Sequence, residues 1–359
     1  MSPDLRDRIR GSLLLGAVGD ALGAPVEFWD VGQIRSRCGP AGVVDYLPAY
    51  GRDAGAITDD TQMTLFTAEG LIRYLIRGRH RGIASAPGMF HEAYLVWLST
   101  QGVPPPPPHG VGGGWLRTVP GLHARRAPGN TCLTALASGR IGTIAEPINQ
   151  SKGCGGVMRV GPVGLVGLRD TFLVSAQAAA VTHGHPSGYL SAGFLGELVA
   201  ALLQGASLRD GLDHATARLV VEAGHEETLA AVQTASALAR THRPTPELLE
   251  MLGGAWVGEE ALAIGVACAL RADDPIDGVF LAVNHSGDSD STGAIAGTIL
   301  GVLHGATAIP ETFVHRLELA DVVTQVADDL FETGWGHGVG GAYEAADPQV
   351  DAFLERYRG

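Results

Sequence analysis

Apolar residues recur at intervals of three to four over most of this chain, and two-residue alternation is scarce. Leu5, Ile9, Leu13, Gly16 and Asp20 follow that interval, and residues 58–77 sustain it with no proline and only Gly70 as a breaker. The same pattern marks residues 88–98, 169–182, 188–203, 211–219, 226–241, 246–252, 259–271, 275–284 and 317–332. Strands punctuated by Asn-Gly or Asp-Gly turns are not in evidence. The chain therefore reads as all-α, a single compact orthogonal helical domain over residues 1–359. Its 51 glycines imply close helix–helix approach. The one low-complexity stretch is a Pro/Gly-rich loop at about 102–114, built on Pro104 and the four prolines after it. Five prolines cannot continue a helix, so this segment reads as a stiff connection between helices.

Charge and cysteine usage narrow the class. Lys and Arg number 25 against 38 Asp and Glu, a net charge of −13 that disfavours generic binding to phosphate backbones. Cys38, Cys132, Cys154 and Cys268 lie far apart, with no C-x-x-C pair, which fits a reducing compartment and indicates neither a structural zinc site nor a redox dithiol. No secretory leader is expected at the N-terminus, and the apolar run at 293–310, interrupted by His304, reads as a buried helix and not as a membrane span. The expected location is the cytoplasm.

Two polar clusters stand immediately before apolar helices. The first is Thr58-Asp59-Asp60-Thr61, and the second is Gly287-Asp288-Ser289-Asp290-Ser291-Thr292. Either alone is a helix cap: Thr58 can cap one helix, Ser291 or Thr292 the other, and acids in a first turn complement the helix dipole. Capping needs one short polar side chain, however, and here two acids gather at each start. Four carboxylates with several hydroxyls form an all-oxygen donor set suited to hard cations such as Mg²⁺ or Mn²⁺. Convergence of the two helix starts would make a binuclear site.

Residues 151–162 form a glycine-rich segment in which Gly153, Cys154, Gly155, Gly156 and Met158 offer close backbone approach and amide donors, without the spacing of a nucleotide-binding P-loop. Thr182-His183 lies downstream.

The combination resembles the ADP-ribosylglycohydrolase family, which includes the dinitrogenase-reductase-activating glycohydrolase and the vertebrate ADP-ribosyl-acceptor hydrolases. Five segments match in order: Gly16-Ala17-Val18-Gly19-Asp20-Ala21-Leu22-Gly23 with Glu27, the Thr58 cluster, Gly153 to Arg159, Thr182-His183, and the Asp288 cluster. The resemblance implies a helical fold around two Mg²⁺ ions, with Mn²⁺ able to substitute. It assigns Thr58, Asp59, Asp60, Asp288, Asp290 and Ser291 as metal ligands, serine standing where the family usually has threonine. Glu27 matches a carboxylate near the metals, and Asp59, Asp60, Glu27 and Asp288 supply the catalytic acid or base. Gly153, Cys154, Gly155, Gly156, Met158 and His183 match positions that line the ADP-ribose pocket.

Gly129-Asn130-Thr131 resembles a segment of the arginine-directed bacterial branch, which places Asn130 against substrate; Ala127 stands where that branch has an aspartate. The activity so implied is Mg²⁺-dependent removal of ADP-ribose from ADP-ribosylarginine on protein, or from a small ADP-ribose conjugate. Serine, nucleic-acid-end and O-acyl linkages are the alternatives within the family, and a silent ADP-ribose binder is the alternative outside enzymes.

Overall fold

The computed structural model describes residues 4–107, 113–336 and 348–357. Residues 108–112 of the 102–114 loop, Pro108 to Gly112, lie outside the described residues. Among the described residues the regular structure is entirely helical, with two isolated bridges, Ala49–Arg52 and Gly153–Val257, in place of a sheet. In chain order the helices are α1 Leu5–Gly23, α2 Val31–Cys38, α3 Asp59–Arg81, α4 Ala86–Thr100, α5 Asn130–Ala137, α6 Thr171–Ala180, α7 Pro186–Leu203 and α8 Leu208–Leu219. They continue as α9 Glu226–Thr241, α10 Pro246–Leu249, α11 Gly258–Ala269, α12 Pro275–Val283, α13 Ser289–His304, α14 Glu311–Val314, α15 Ala320–Gly334 and α16 Pro348–Tyr357.

Local chemistry sets several boundaries. α3 starts because the Thr58 side chain accepts from the Asp60 amide. It stops at Gly82, which takes a left-handed φ of 71° after a last turn carrying Arg79, His80 and Arg81. α13 starts at Asp288, whose side chain accepts from the Ser291 amide. This corrects the expectation that Ser291 or Thr292 is the cap. The Thr292 hydroxyl lies against the Asp288 and Ser289 carbonyls within the helix instead.

The most extensive helix pairing is between α1 and α13, both buried over most of their length. They run antiparallel, since Gly11 faces Gly301 while Gly19 faces Gly293. Around this pair, α7, α11 and α12 pack on α13, and α15 and α3 lie on the α1 side, under one continuous hydrophobic core. α7 is long and apolar enough to cross a membrane by length and composition, yet most of it is buried within the protein. The register of α1 on α13 brings the last turn of α1 to the first turn of α13, a Cβ on Gly23 falling 2.4 Å from the Asp290 amide nitrogen. Three helix ends thereby meet, because Asp20 near the end of α1 also receives the start of α3.

Candidate metal centre

Asp20 organises the meeting point. It is fully buried and accepts from the Thr58 amide at 3.0 Å, the Thr58 hydroxyl at 2.8 Å, the Thr61 amide at 3.0 Å and, at short range, the Thr61 hydroxyl. The first turn of α3 is thus held on the end of α1. The Thr58 hydroxyl, with its proton committed to Asp20 and one lone pair taken by the Asp60 amide at 3.2 Å, keeps one lone pair free. Sequence reading placed Asp20 in the periodic stripe of α1 and gave it no role. The available signal was a lone charged residue in the apolar second half of α1, after the charged run Arg6 to Arg10.

The carboxylates that the two motifs supply are all buried: Asp59, Asp60, Asp288, Asp290 and also Glu27. Asp59 accepts from the Gly129 amide at 3.3 Å. Asp288 accepts from the Cys154 thiol at 2.7 Å and Asp290 from the Ser291 amide at 3.1 Å. Ligand oxygens of Glu27, Asp288 and Asp290 lie within 4.8 Å of one another, a grouping able to hold a metal ion. Asp60 Oδ2 and Glu27 Oε2 are buried without a partner among the described residues. The Ser291 hydroxyl lies 3.8 Å from the sulfur of Met158.

This is a costly arrangement without a cation. Burial first, then the charge of Asp290, holds Asp59, Asp60 and Asp288 well above the usual carboxylate range. The same two causes push Glu27 up to about 10 and Asp20 to about 7, the latter despite its threonine hydrogen bonds. No cationic side chain is in hydrogen-bond contact with these acids among the described residues. Arg126 donates from its guanidinium to Glu318 at 3.0 Å, and only its backbone carbonyl meets the cluster, accepting from the Asp59 amide at 3.0 Å. Unpartnered buried oxygens in an all-oxygen donor set are the chemistry of a hard-cation site.

A family model described as ADP-ribosylglycohydrolase matches residues 1–338. The chain belongs to the ADP-ribosylglycohydrolase family. It is a hydrolase that removes ADP-ribose. Relatives include the ADP-ribosyl-[dinitrogen reductase] glycohydrolase of Rhodospirillum rubrum, 26% identical over 88% of this chain and 92% of that one. An ADP-ribosylarginine hydrolase of Serratia proteamaculans is 25% identical over 90% and 79%, and an ADP-ribosylhydrolase of Mus musculus is 24% identical over 90% and 92%. A solved structure titled an ADP-ribosylglycohydrolase-related protein complex superposes with a TM-score of 0.66 at 24% identity, over 92% of this chain and 99% of that one, and shares the helical fold.

The glycine-rich segment of this glycohydrolase lies beside the carboxylates. Its backbone is tied to residues 256–258: the Cys154 amide donates to the Trp256 carbonyl at 3.2 Å and the Gly258 amide to the Lys152 carbonyl at 2.8 Å. Gly156 admits no side chain, since a Cβ there would meet the Gly188 carbonyl at 2.7 Å. His183 is buried against Gly153 and Gly155, and burial followed by the nearby Arg159 guanidinium lowers its pKa to about 3, so it is neutral. Its Nδ1 lies 2.8 Å from the Thr182 hydroxyl, which receives Arg159 at 2.7 Å. Asn130 opens α5, exposed, one residue after the amide that holds Asp59. The Cys154 thiol on Asp288 and the Gly129 amide on Asp59 link the glycine-rich segment and the start of α5 to the carboxylates.

Proposed function

We propose that this glycohydrolase is a single-domain, cytoplasmic, bacterial enzyme that binds two Mg²⁺ ions and releases ADP-ribose from ADP-ribosylarginine on protein. The observation that carries the reading is the convergence of Thr58, Asp59, Asp60, Asp288 and Asp290 at two abutting helix starts, with unpartnered oxygens on Asp60 and Glu27. These residues and Ser291 would hold the metals, which would supply positive charge to neutralise the carboxylates and Lewis acidity at the substrate.

The chain's own residues divide the remaining work. Hydrolysis breaks the bond from C1″ of the ribose to the acceptor, adds water at C1″ and returns a proton to the leaving group. Asp59, Asp60, Asp288 and Glu27 are the groups able to accept or deliver that proton. Asp20 orients Thr58 and Thr61 and takes no part in the transfer. The segment from Gly153 to Met158 gives close backbone approach to ADP-ribose, His183 packs behind it as a neutral ring, and Asn130 faces the substrate from the start of α5.

Ala127 counts against arginine as the acceptor, and the support comes from elsewhere. That residue brings no carboxylate to a guanidinium, but Arg126 is neutralised by Glu318 and so does not repel one. The surrounding acidity favours a cationic acceptor. Two of the relatives carry names that specify arginine or dinitrogen reductase.

The test compares arginine-modified and serine-modified peptides at equal concentration with Mg²⁺, reading kcat/KM for ADP-ribose release. Higher kcat/KM on the arginine peptide is expected. Preference for serine, or release from neither, overturns the assignment.

A further inference from the structure

Ala49, Tyr50, Gly51 and Arg52 form a two-residue hairpin. The Arg52 amide donates to the Ala49 carbonyl at 2.9 Å and the Ala49 amide to the Arg52 carbonyl at 3.1 Å. Tyr50 has φ 49° and Gly51 φ 77°, so both central residues are left-handed. Such a turn strongly prefers Asn, Asp or Gly at its first central position, and a tyrosine there is strained. Core packing does not account for the residue, because Tyr50 is 41% exposed.

The neighbours of the side chain link it to the start of α3. The Arg126 guanidinium lies under the Tyr50 ring, 5.0 Å from its centroid, and the carbonyl of the same arginine holds the Asp59 amide at 3.0 Å. Glu318 braces this unit, accepting from Arg126 and from the Ile57 amide just before Thr58. Arg52, the last residue of the hairpin, faces the same carboxylate at 3.8 Å. The phenol is close enough to Glu27, Asp290, Asp20 and Asp59 that their charges, after its own burial, hold its proton on. One residue thus joins backbone strain, solvent exposure and a proton-bearing hydroxyl, and it is linked through Arg126 to Asp59 of the carboxylate cluster.

We propose that Tyr50 is a specificity-determining residue that donates a hydrogen bond from its phenol to the ADP-ribosylated substrate. The strained turn holds the ring over Arg126, and the turn's preferred residues would leave that contact unmade. This inference rests on the glycohydrolase reading and deepens it, since it names a substrate contact outside the metal ligands.

The experiment pairs thermal melting with kinetics on the Mg²⁺-loaded enzyme for Tyr50→Asn and Tyr50→Phe. Tyr50→Asn suits the turn, so it should melt at or above the wild-type temperature while kcat/KM falls at least tenfold. Tyr50→Phe keeps the ring and should raise KM several-fold with kcat little changed. Unchanged kcat/KM in Tyr50→Asn overturns the proposal. So does a lowered melting temperature in that variant, which would make the tyrosine a packing residue. If the wild type releases no ADP-ribose from any modified peptide, the parent reading fails, a result distinct from either of these.

Discussion

Gly19 and Gly293 press backbone to backbone across the centre of the molecule. A Cβ on Gly19 would sit 2.1 Å from the Gly293 carbonyl oxygen, and one on Gly293 would sit 2.5 Å from the Gly19 carbonyl oxygen. Gly11 with Gly301, and Gly297 with the Leu15 carbonyl, repeat the contact along α1 and α13. Because the carboxylates stand at the end of this seam, its spacing sets where Asp20 meets Asp290.

Gly19→Ala should therefore damage both stability and the site. Forcing the helices apart should lower stability by about 1–3 kcal/mol or more. Gly78→Ala is the control. Gly78 lies inside α3 with nothing within 4 Å of a new Cβ, and alanine there should stabilise by about 0.5–1 kcal/mol. Chemical denaturation of the two variants reads both signs, and a harmless Gly19→Ala would refute the seam.

Removing a carboxylate should separate fold from activity. Asp290→Ala deletes the charge that most raises Asp59, Asp60 and Asp288 after burial itself. Without metal it should melt above the wild type, and it should lose turnover. Wild type with Mg²⁺ at a hundred times its dissociation constant should gain about 2.7 kcal/mol, a gain absent in Asp290→Ala. Melting with and without EDTA measures this, and full wild-type activity in EDTA would sink the metal assignment.

Ser291 makes a narrower case. With Asp288 capping α13, Ser291→Ala removes no cap and should cost less than the roughly 1 kcal/mol of a lost one. If the hydroxyl is a ligand, the same change should weaken Mg²⁺ affinity, while Ser291→Thr retains it. Magnesium titrations followed by melting temperature discriminate the two; equal affinity in all three proteins would remove Ser291 from the ligand set.

Glu69 gives a pH signature remote from the metals. It is fully buried in α3, accepts from the Leu116 amide at 3.2 Å, and burial raises its pKa from 4.5 to about 7. The native state therefore holds a proton that the unfolded chain releases above pH 4.5. Stability from this group is present below pH 4.5, is lost as pH rises through 7, and is level beyond. Glu69→Gln should remove that slope, a difference of about 3 kcal/mol at pH 8. Denaturation midpoints of both proteins from pH 4 to 8 test it, with parallel curves as the contrary result.

Local chemistry was legible in the chain because it acts within one turn of backbone. The Thr58 cap, the acids of the first turns and the long helices α3, α7, α9 and α13 follow from residues three or four apart. The short helices α2, α5 and α14 span too few residues to establish a period, and they were not read. The five motifs, taken in order, carried the family and its helical fold. Distance in sequence hid the rest. That Asp20 accepts from Thr58 and Thr61, and that Glu27 turns inward to Asp288 and Asp290, depends on how α1 registers against α13. That register comes from glycines nearly three hundred residues apart, whose missing side chains count only once the two backbones touch. Tyr50 is the same case in miniature: its strain is a φ angle, and nothing in the letters around it states one.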